Sequence, residues 1–388
     1  MPTSAERILT THVGSLVRPP RLVQYIEAME NGLAVDGTAF DALLRQSVNE
    51  VVKRQQQAGI DIVSDGEYGK FRSWSFYIID RLAGIEERDV AAPVGGGRDR
   101  AQFPEFYAEY FPTQRLPKRG TAVAVGPIAY NGHAALKHDI EVFKAALAGV
   151  DVEGFLPVVA PASAVPLFKN EYYKSEEEAL FALATALREE YAAIVDAGLY
   201  VQVDDAFLPY VYDLAFAGRD LSEYRAWASL RIDALNHALE GLPQEKVRYH
   251  ICWGSFNTPH VSDVPLKDIV DLVLRVKAGA YCIEMGNPRH EHEWRVWDGV
   301  KLPEGRKLVP GVISHSTNVV EHPELVAERL VRIARLVGRE NVMAGTDCGF
   351  AQTPHLRRVH PSIMWAKLEA LAEGARIASR ELWGRNTA

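Results

Sequence analysis

The feature that most constrains this chain is a unit that occurs three times: a helical segment, the dipeptide Ala-Gly, and a short apolar run that ends on an acid. The copies are Ala58-Gly59 leading through Ile60 to Glu67, Ala197-Gly198 through Leu199 to Asp204, and Ala278-Gly279 through Tyr281 to Glu284. Before the first copy, Phe40, Leu43, Leu44, Val48, Val51 and Val52 recur at i, i+3 and i+4, which sets them along one core-facing stripe of a helix. The second helix opens with Ser175-x-x-Glu178, the pattern of a capping box, in which each side chain satisfies a free amide at the helix start. Each Gly falls where a helix is expected to end in the left-handed region, which only Gly enters without a Cβ penalty. Repeated helix-Gly-strand units with apolar strands predict a parallel sheet, because parallel strands need helical crossovers that cover both faces.

Eight strands and one extra are expected: Leu9–Ser15, Ile60–Glu67, Phe155–Ala160, Tyr200–Asp204, Val247–Trp253, Ala280–Met285, Leu308–His315 and Val342–Cys348, with Thr121–Ile128 in addition. A length of 388 residues divided by about 150 per domain suggests two or three domains, but one (β/α)8 barrel takes roughly 250 to 400. We therefore expect an α/β chain whose residues 1–388 form a single (β/α)8 TIM barrel domain. A long excursion follows its second strand, with residues 82–130 as the inserted part. The competitor is a doubly wound open sheet, which would advertise a Gly-rich phosphate turn after its first strand. The cluster Gly95-Gly96-Gly97 has no strand before it.

Composition narrows the partners. With 47% hydrophobic and 24% charged residues the chain matches a globular protein, and no apolar run approaches the ~20 residues that span a bilayer. Its start, Met1-Pro2-Thr3-Ser4-Ala5-Glu6-Arg7, lacks a basic segment followed by an apolar one, so a cytoplasmic protein without a cleaved signal is expected. Lys and Arg number 43 against 51 acids, a net charge of −8 with no long basic stretch, which argues against nucleic acid. The three cysteines, Cys252, Cys282 and Cys348, are odd in number and too few for a disulfide framework.

In a barrel the C-terminal strand ends converge on one mouth. They offer His12 and Ser15, Asp65 and Glu67, Asp204 and Asp205, His250 and Cys252, Cys282 and Glu284, His315, and Asp347 and Cys348. His250 and Cys252, two apart on a strand, point the same way, so one zinc ion can take both. Glu284 and Cys348 end other strands, and a His, Cys, Glu, Cys set supplies four ligand types that zinc accepts. The blander reading is that buried cysteines are core residues and a lone strand His is hydrogen-bonded. Four such residues at the same end of four strands favour the metal. Cys282, one step deeper than Glu284, is a rival ligand for which a core role fits better. His290-Glu291-His292-Glu293 lacks the i, i+4 histidine spacing of a metalloprotease helix and reads as a solvated loop.

Thr10-Thr11-His12-Val13-Gly14-Ser15, Asp61-Ile62-Val63-Ser64-Asp65-Gly66-Glu67, Val201-Gln202-Val203-Asp204-Asp205-Ala206, His250-Ile251-Cys252, Ile283-Glu284, Gly311-Val312-Ile313-Ser314-His315-Ser316 and Thr346-Asp347-Cys348-Gly349 follow one another as they do in cobalamin-independent methionine synthase. Over nearly its whole length the chain resembles the C-terminal catalytic barrel of that family. The resemblance implies a Zn2+ site of His250, Cys252, Glu284 and Cys348 that activates a thiol for S-alkylation. It implies that Ser15, Glu67 and Asp204 hold the amino acid part of a homocysteine-like aminothiol, and that the catalytic His315 handles protons at the mouth. The partners implied are a small-molecule thiol and an alkyl donor, and a homo-oligomer is left open. Three readings follow: a methyltransferase like 5-methyltetrahydropteroyltriglutamate-homocysteine S-methyltransferase, of methionine biosynthesis; a thiol transferase that opens an epoxide, like epoxyalkane:coenzyme M transferase; and a zinc-stabilised binding protein without turnover.

The chemistry suits those residues. A free thiol has a pKa near 8.5, whereas the nucleophile is the thiolate, and zinc coordination deprotonates a thiol outright. Two thiolates and a carboxylate around Zn2+ leave an electron-rich centre suited to attack on an alkyl carbon. Glu67 and Asp204 suit an ammonium group, whereas a sulfonate thiol would want Arg or Lys near the same pocket. The chain departs from the family on the donor side. The duplicated N-terminal half is absent, Asp205-Ala206 replaces Glu-Pro, and Phe350-Ala351-Gln352 follows Gly349 in place of a basic segment.

Overall fold

Helix Gly37–Gln57 illustrates how a unit is built. The Asp36 carboxylate accepts from the amides of Thr38 (2.9 Å) and Ala39 (3.1 Å), which have no helical partner of their own. Phe40, Leu44, Val48, Val51 and Val52 are buried, and Leu43 is partly so. Gly59 then turns the chain at φ +84°, where a Cβ would stand 2.8 Å from the Ala372 methyl. In helix Glu176–Asp196 the Ser175 hydroxyl accepts from the Glu178 amide at 3.0 Å, and the Glu178 carboxylate returns to the amide of Lys174 at 3.1 Å, one residue earlier than the box predicts. Gly198 ends that unit at φ +88°. The third unit differs. Its helix is only Val270–Val273, and Gly279 is not left-handed; glycine is needed there because a Cβ would lie 2.6 Å from the Gln244 carbonyl oxygen.

The computed structural model describes residues 6–90, 96–114 and 120–384, so Gly95 and parts of the 82–130 stretch lie outside the described residues. Eight parallel strands form one sheet: β1 Leu9–Thr10, β2 Ile62–Val63, β3 Glu153–Val159, β4 Tyr200–Asp204, β5 Val247–Ile251, β6 Ala280–Ile283, β7 Lys307–Ile313 and β8 Met343–Thr346. They neighbour one another in chain order, β8 returns to β1, and a bridge between Thr11 and Ile62 joins β1 to β2, which closes the barrel expected from the sequence. Because side chains alternate along a strand, one set faces inward. Ile62, Phe155, Tyr200, Ala280, Cys282, Val309 and Met343 form this separate inner cluster, and the buried Arg248 lies over the Phe155 ring at 3.9 Å. The other set packs against the helices in the larger core.

A second sheet, of three strands, stands beside the barrel. Leu82–Arg88 pairs antiparallel with Thr121–Tyr130, which pairs in parallel with Phe168–Asn170. Only the middle strand was expected. Phe168–Asn170, of three residues, is too short to carry a periodic signal, and Leu82–Arg88 is interrupted by Gly84, whose Cβ would collide with the Pro127 carbonyl oxygen. No helix among the described residues is long and apolar enough to cross a membrane.

Candidate active site

The strands stop short of most of the residues they deliver. Asp204 and His250 lie within β4 and β5, while Ser15, Glu67, Cys252, Glu284, His315 and Cys348 sit on the segments that follow their strands. Those segments are irregular because their backbone groups bond across loops, as when the Phe350 amide donates to the Ser15 carbonyl at 2.8 Å. Close approach there needs Gly349, since a Cβ would fall 2.0 Å from the Ser15 hydroxyl.

His250, Cys252 and Cys348 converge, with one ligand atom of each within 4.8 Å of the others and all three residues buried. Neither ring nitrogen of His250 has a hydrogen-bond partner. The two sulfurs are 3.6 Å apart, far beyond the about 2.0 Å of a disulfide. A tetrahedral ion bound at about 2.3 Å would hold two thiolates about 3.8 Å apart, so the donor set fits such an ion in spacing as well as in type. The hydrogen bond from Cys252 pulls the Cys348 thiol well below its ordinary range against burial, and the same bond, with burial, pushes Cys252 well above. The pair therefore favours one shared proton.

Glu284 stands beside this trio, in a second buried group with His315 and Asp347 whose ligand atoms also lie within 4.8 Å. Its carboxylate accepts from the Trp253 amide (2.9 Å) and the Asn287 side chain (2.6 Å), and burial raises it to about 8. Asp347 accepts from the amides of Met285 (3.0 Å) and Gly286 (2.6 Å), so it folds the loop that presents Glu284. Burial lowers His315 to about 4 and keeps its imidazole neutral.

A pocket opens over the trio. Ser15, Glu67 and Asp204 line it together with the aromatic side chains of Trp74, Phe207, Tyr210 and Phe256. Trp74 stacks on Phe207 with ring centroids 6.2 Å apart. Glu67 is held in the left-handed region at φ +60°, a conformation that costs a non-glycine residue about 1–3 kcal/mol. Arg18 supports it by donating to the carbonyl oxygens of Glu67 and Lys70. One Glu67 oxygen lies 3.5 Å from the Lys70 ammonium, and the other is buried without a partner. Asp204 accepts from Gln202 at 2.8 Å, and burial raises it to about 7. Its neighbour Asp205 points elsewhere, to Ser163 (2.7 Å) and the Tyr249 hydroxyl (2.8 Å).

Other strand-end residues serve the scaffold. His12 is fixed by Gln55 at 2.6 Å and by the Gly14 amide at 3.1 Å. Cys282 packs in the barrel's inner cluster, 3.7 Å from Arg248, as a core thiol. The segment from His290 is not a solvated loop. It enters a short helix, Glu291–Asp298, with His290 and Glu293 buried. His290 bonds Glu293 (2.9 Å) and Asp263 (3.0 Å), Asp263 also bonds His260 (3.0 Å), and the His290 ring stacks on Trp253 at 4.0 Å. Sequence reasoning missed Lys70 and Arg358, and it placed Asp347 at the mouth without finding its partners. The spacing of Lys70 three residues after Glu67 was a usable signal; the partners of Arg358 and Asp347 lie on distant loops.

Comparison with known proteins adds a lineage to this geometry. The family described as cobalamin-independent synthase, catalytic domain, matches residues 160–364. The methionine synthase of Sulfolobus acidocaldarius is 26% identical, over 96% of this chain and 93% of the relative. The 2-hydroxypropyl-CoM lyase of Xanthobacter autotrophicus is 24% identical, over 88% of each. A solved B12-independent methionine synthase from Shewanella sp. W3-18-1, in complex with selenomethionine, shares the fold with a TM-score of 0.73 at 21% identity, covering 98% of this chain and 100% of that one.

Proposed function

The chain belongs to the cobalamin-independent synthase family, and from this premise we propose that it is a zinc-dependent S-alkyltransferase that moves a methyl group onto a homocysteine-like aminothiol. The observation that carries the reading is the buried His250 with two unpartnered ring nitrogens beside two thiols 3.6 Å apart, at the floor of a pocket. Polar atoms are not left unpaired inside a protein without cause. His250, Cys252 and Cys348 would hold the zinc, with Glu284 as the fourth ligand that moves in from the neighbouring group. Zinc bound there supplies a sulfur nucleophile that is deprotonated at neutral pH.

The protein's own groups do the rest. Ser15, Glu67 and Asp204 bind the polar end of the thiol, with the unpartnered Glu67 oxygen taking an ammonium hydrogen. The aromatic wall excludes water from the reacting sulfur and orients the donor. His315, neutral and buried, has a free nitrogen with which to take the thiol proton. The relative named as a methionine synthase supports the methyl reading. The relative named as a 2-hydroxypropyl-CoM lyase supports a second, in which a thiol opens an epoxide.

The test is to load the protein with zinc and incubate it with homocysteine or 2-mercaptoethanesulfonate, against methylcobalamin, 5-methyltetrahydrofolate and propylene oxide. Methionine formed with a methyl donor is the expected product. A thioether formed only from the epoxide and the sulfonate thiol would favour the second reading. Tight zinc binding without any S-alkylated product would leave a binding protein instead.

A further inference from the structure

Arg358 is a cation without a carboxylate partner: neutral side chains hold it, the Tyr110 hydroxyl among them, and the one anionic group that acts on it is Cys348 in the site itself. Its Nε donates to the Gln352 side chain at 2.9 Å, Nη1 to the Gln114 side chain at 3.3 Å and Nη2 to the Ser255 hydroxyl at 3.2 Å. The guanidinium lies over the Phe256 ring, 4.6 Å from its centroid. Among the described residues no carboxylate lies within ion-pair distance of it. Some buried arginines have acids, as Arg81 does in Asp139 and Glu190 and Arg329 in Glu291, whereas Arg18 and Arg248, which also lack a carboxylate, are held by backbone carbonyl oxygens inside the fold; among the described residues Arg358 has neither kind of partner for its charge. Two of the three bonds to Gln352, Gln114 and Ser255 are longer than the about 2.7–2.9 Å of a charge-assisted bond to an anion.

Its place makes the missing carboxylate informative. Ser255, Phe256 and Gln352 line the same pocket as Cys348, Glu67 and Asp204. The Arg358 amide donates to the Phe350 carbonyl at 2.9 Å, which ties the residue to the segment that carries Cys348. Arg358 thus stands directly behind the pocket wall, against the lining residues Ser255, Phe256 and Gln352, although no basic segment directly follows Gly349.

We propose that Arg358 is a specificity-determining residue that receives an acid group, a carboxylate or a sulfonate, borne by the thiol substrate. This rests on the thiol-alkylation reading above. The planar fork of a guanidinium matches either oxyanion with two parallel bonds, and the acid would replace the neutral Ser255 and Gln352 side chains as its partner. Together with the acids Glu67 and Asp204 it makes the pocket suited to a thiol that carries both charges.

The test is calorimetric titration of the zinc-loaded protein with homocysteine, 2-mercaptoethanesulfonate and the neutral 2-mercaptoethanol, in the wild type, Arg358→Met and Arg358→Lys. The expected result is that the wild type prefers an acidic thiol over the neutral one, that R358M reduces this preference about 10- to 100-fold, and that R358K, with the charge but not the fork, loses less. The acid whose preference collapses identifies the group. An unchanged preference in R358M, or equal weakening for all three thiols, would overturn the proposal and leave thiol alkylation standing. Failure of every thiol to bind the wild type would overturn both.

Discussion

Two histidine-bearing clusters lie side by side at the barrel mouth, and they differ in whether their polar atoms are paired. In the first, Glu293, His290, Asp263 and His260 form a chain of side-chain bonds that ends on the Phe256 carbonyl. In the second, His250 has no hydrogen-bond partner on either nitrogen, and Cys252 and Cys348 bond only weakly to each other. The paired cluster is scaffold: it joins the loop after Cys252 to the loop after Glu284, and Trp253 transmits its position through ring stacking and through the amide that Glu284 accepts. The unpaired cluster is unfavourable as it stands, since buried polar groups without partners cost about 1–3 kcal/mol each, and it makes sense when something else completes it. Residue type alone does not separate the two; satisfaction does.

The contrast can be broken by substitution. Cys348→Ser should abolish stoichiometric zinc binding by metal analysis and reduce thiol alkylation by more than the roughly 100-fold typical of outer-shell changes, with the circular dichroism of a folded barrel retained. Full metal occupancy in that variant would remove Cys348 from the site. His290→Ala should do the opposite. It leaves Glu293 buried without its cation and Asp263 with His260 alone, a loss of about 3–5 kcal/mol in urea unfolding, with zinc still bound.

The same network predicts a pH dependence. Burial lowers the two histidines, but hydrogen bonds to Asp263 and Glu293 outweigh it and hold His290 near 10 and His260 near 9. With folded values above the unfolded value of about 6.5, their stabilisation is complete below that pH and is lost as pH rises through 9 to 10. Urea midpoints should therefore fall across that alkaline range, and His290→Gln should flatten the fall. The smallest effect belongs to Cys282→Ala, about 1 kcal/mol of stability and no change in zinc content. Loss of zinc there would mean that the inner thiol reaches the metal.

Much of this was legible in the chain because a barrel converts chain order into convergence. Once Ala-Gly-strand-acid units are recognised, strand ends such as His250, Cys252 and Cys348 must share a mouth whatever their separation. What stayed hidden depended on loops that meet across long sequence distances. Asp347 bonds amides about sixty residues away, Arg358 reaches Ser255 and Gln114, and His290 finds Asp263. No local pattern records those pairings, and a run such as His290-Glu291-His292-Glu293 looks the same whether water or Asp263 satisfies it. Glu284 is intermediate: its strand end was evident, but its carboxylate is taken up by Trp253 and Asn287.

The closure between β1 and β2 has a dynamic consequence. Most neighbouring strands are joined by several paired residues, whereas this seam is joined by the Thr11–Ile62 bridge, by backbone bonds from Asp61 to Thr10 and from Leu16 to Gly66 (3.1 Å each), and by side-chain clasps, with Thr10 donating to Gly59 and Asp61 and Arg7 gripping Asp61 through two bonds of 2.7 Å. The least-laced edge of a barrel is where sub-global opening starts. The chain leaves that edge towards Ser15 on one side and Glu67 on the other. Breathing at the seam therefore spreads the two walls that grip the polar end of the proposed substrate, while the strands bearing Cys252 and Cys348 stay laced. Amide exchange should be fastest at Asp61, whose amide donates across the seam to the Thr10 carbonyl, which makes the seam the natural gate for a ligand whose sulfur end is held fast.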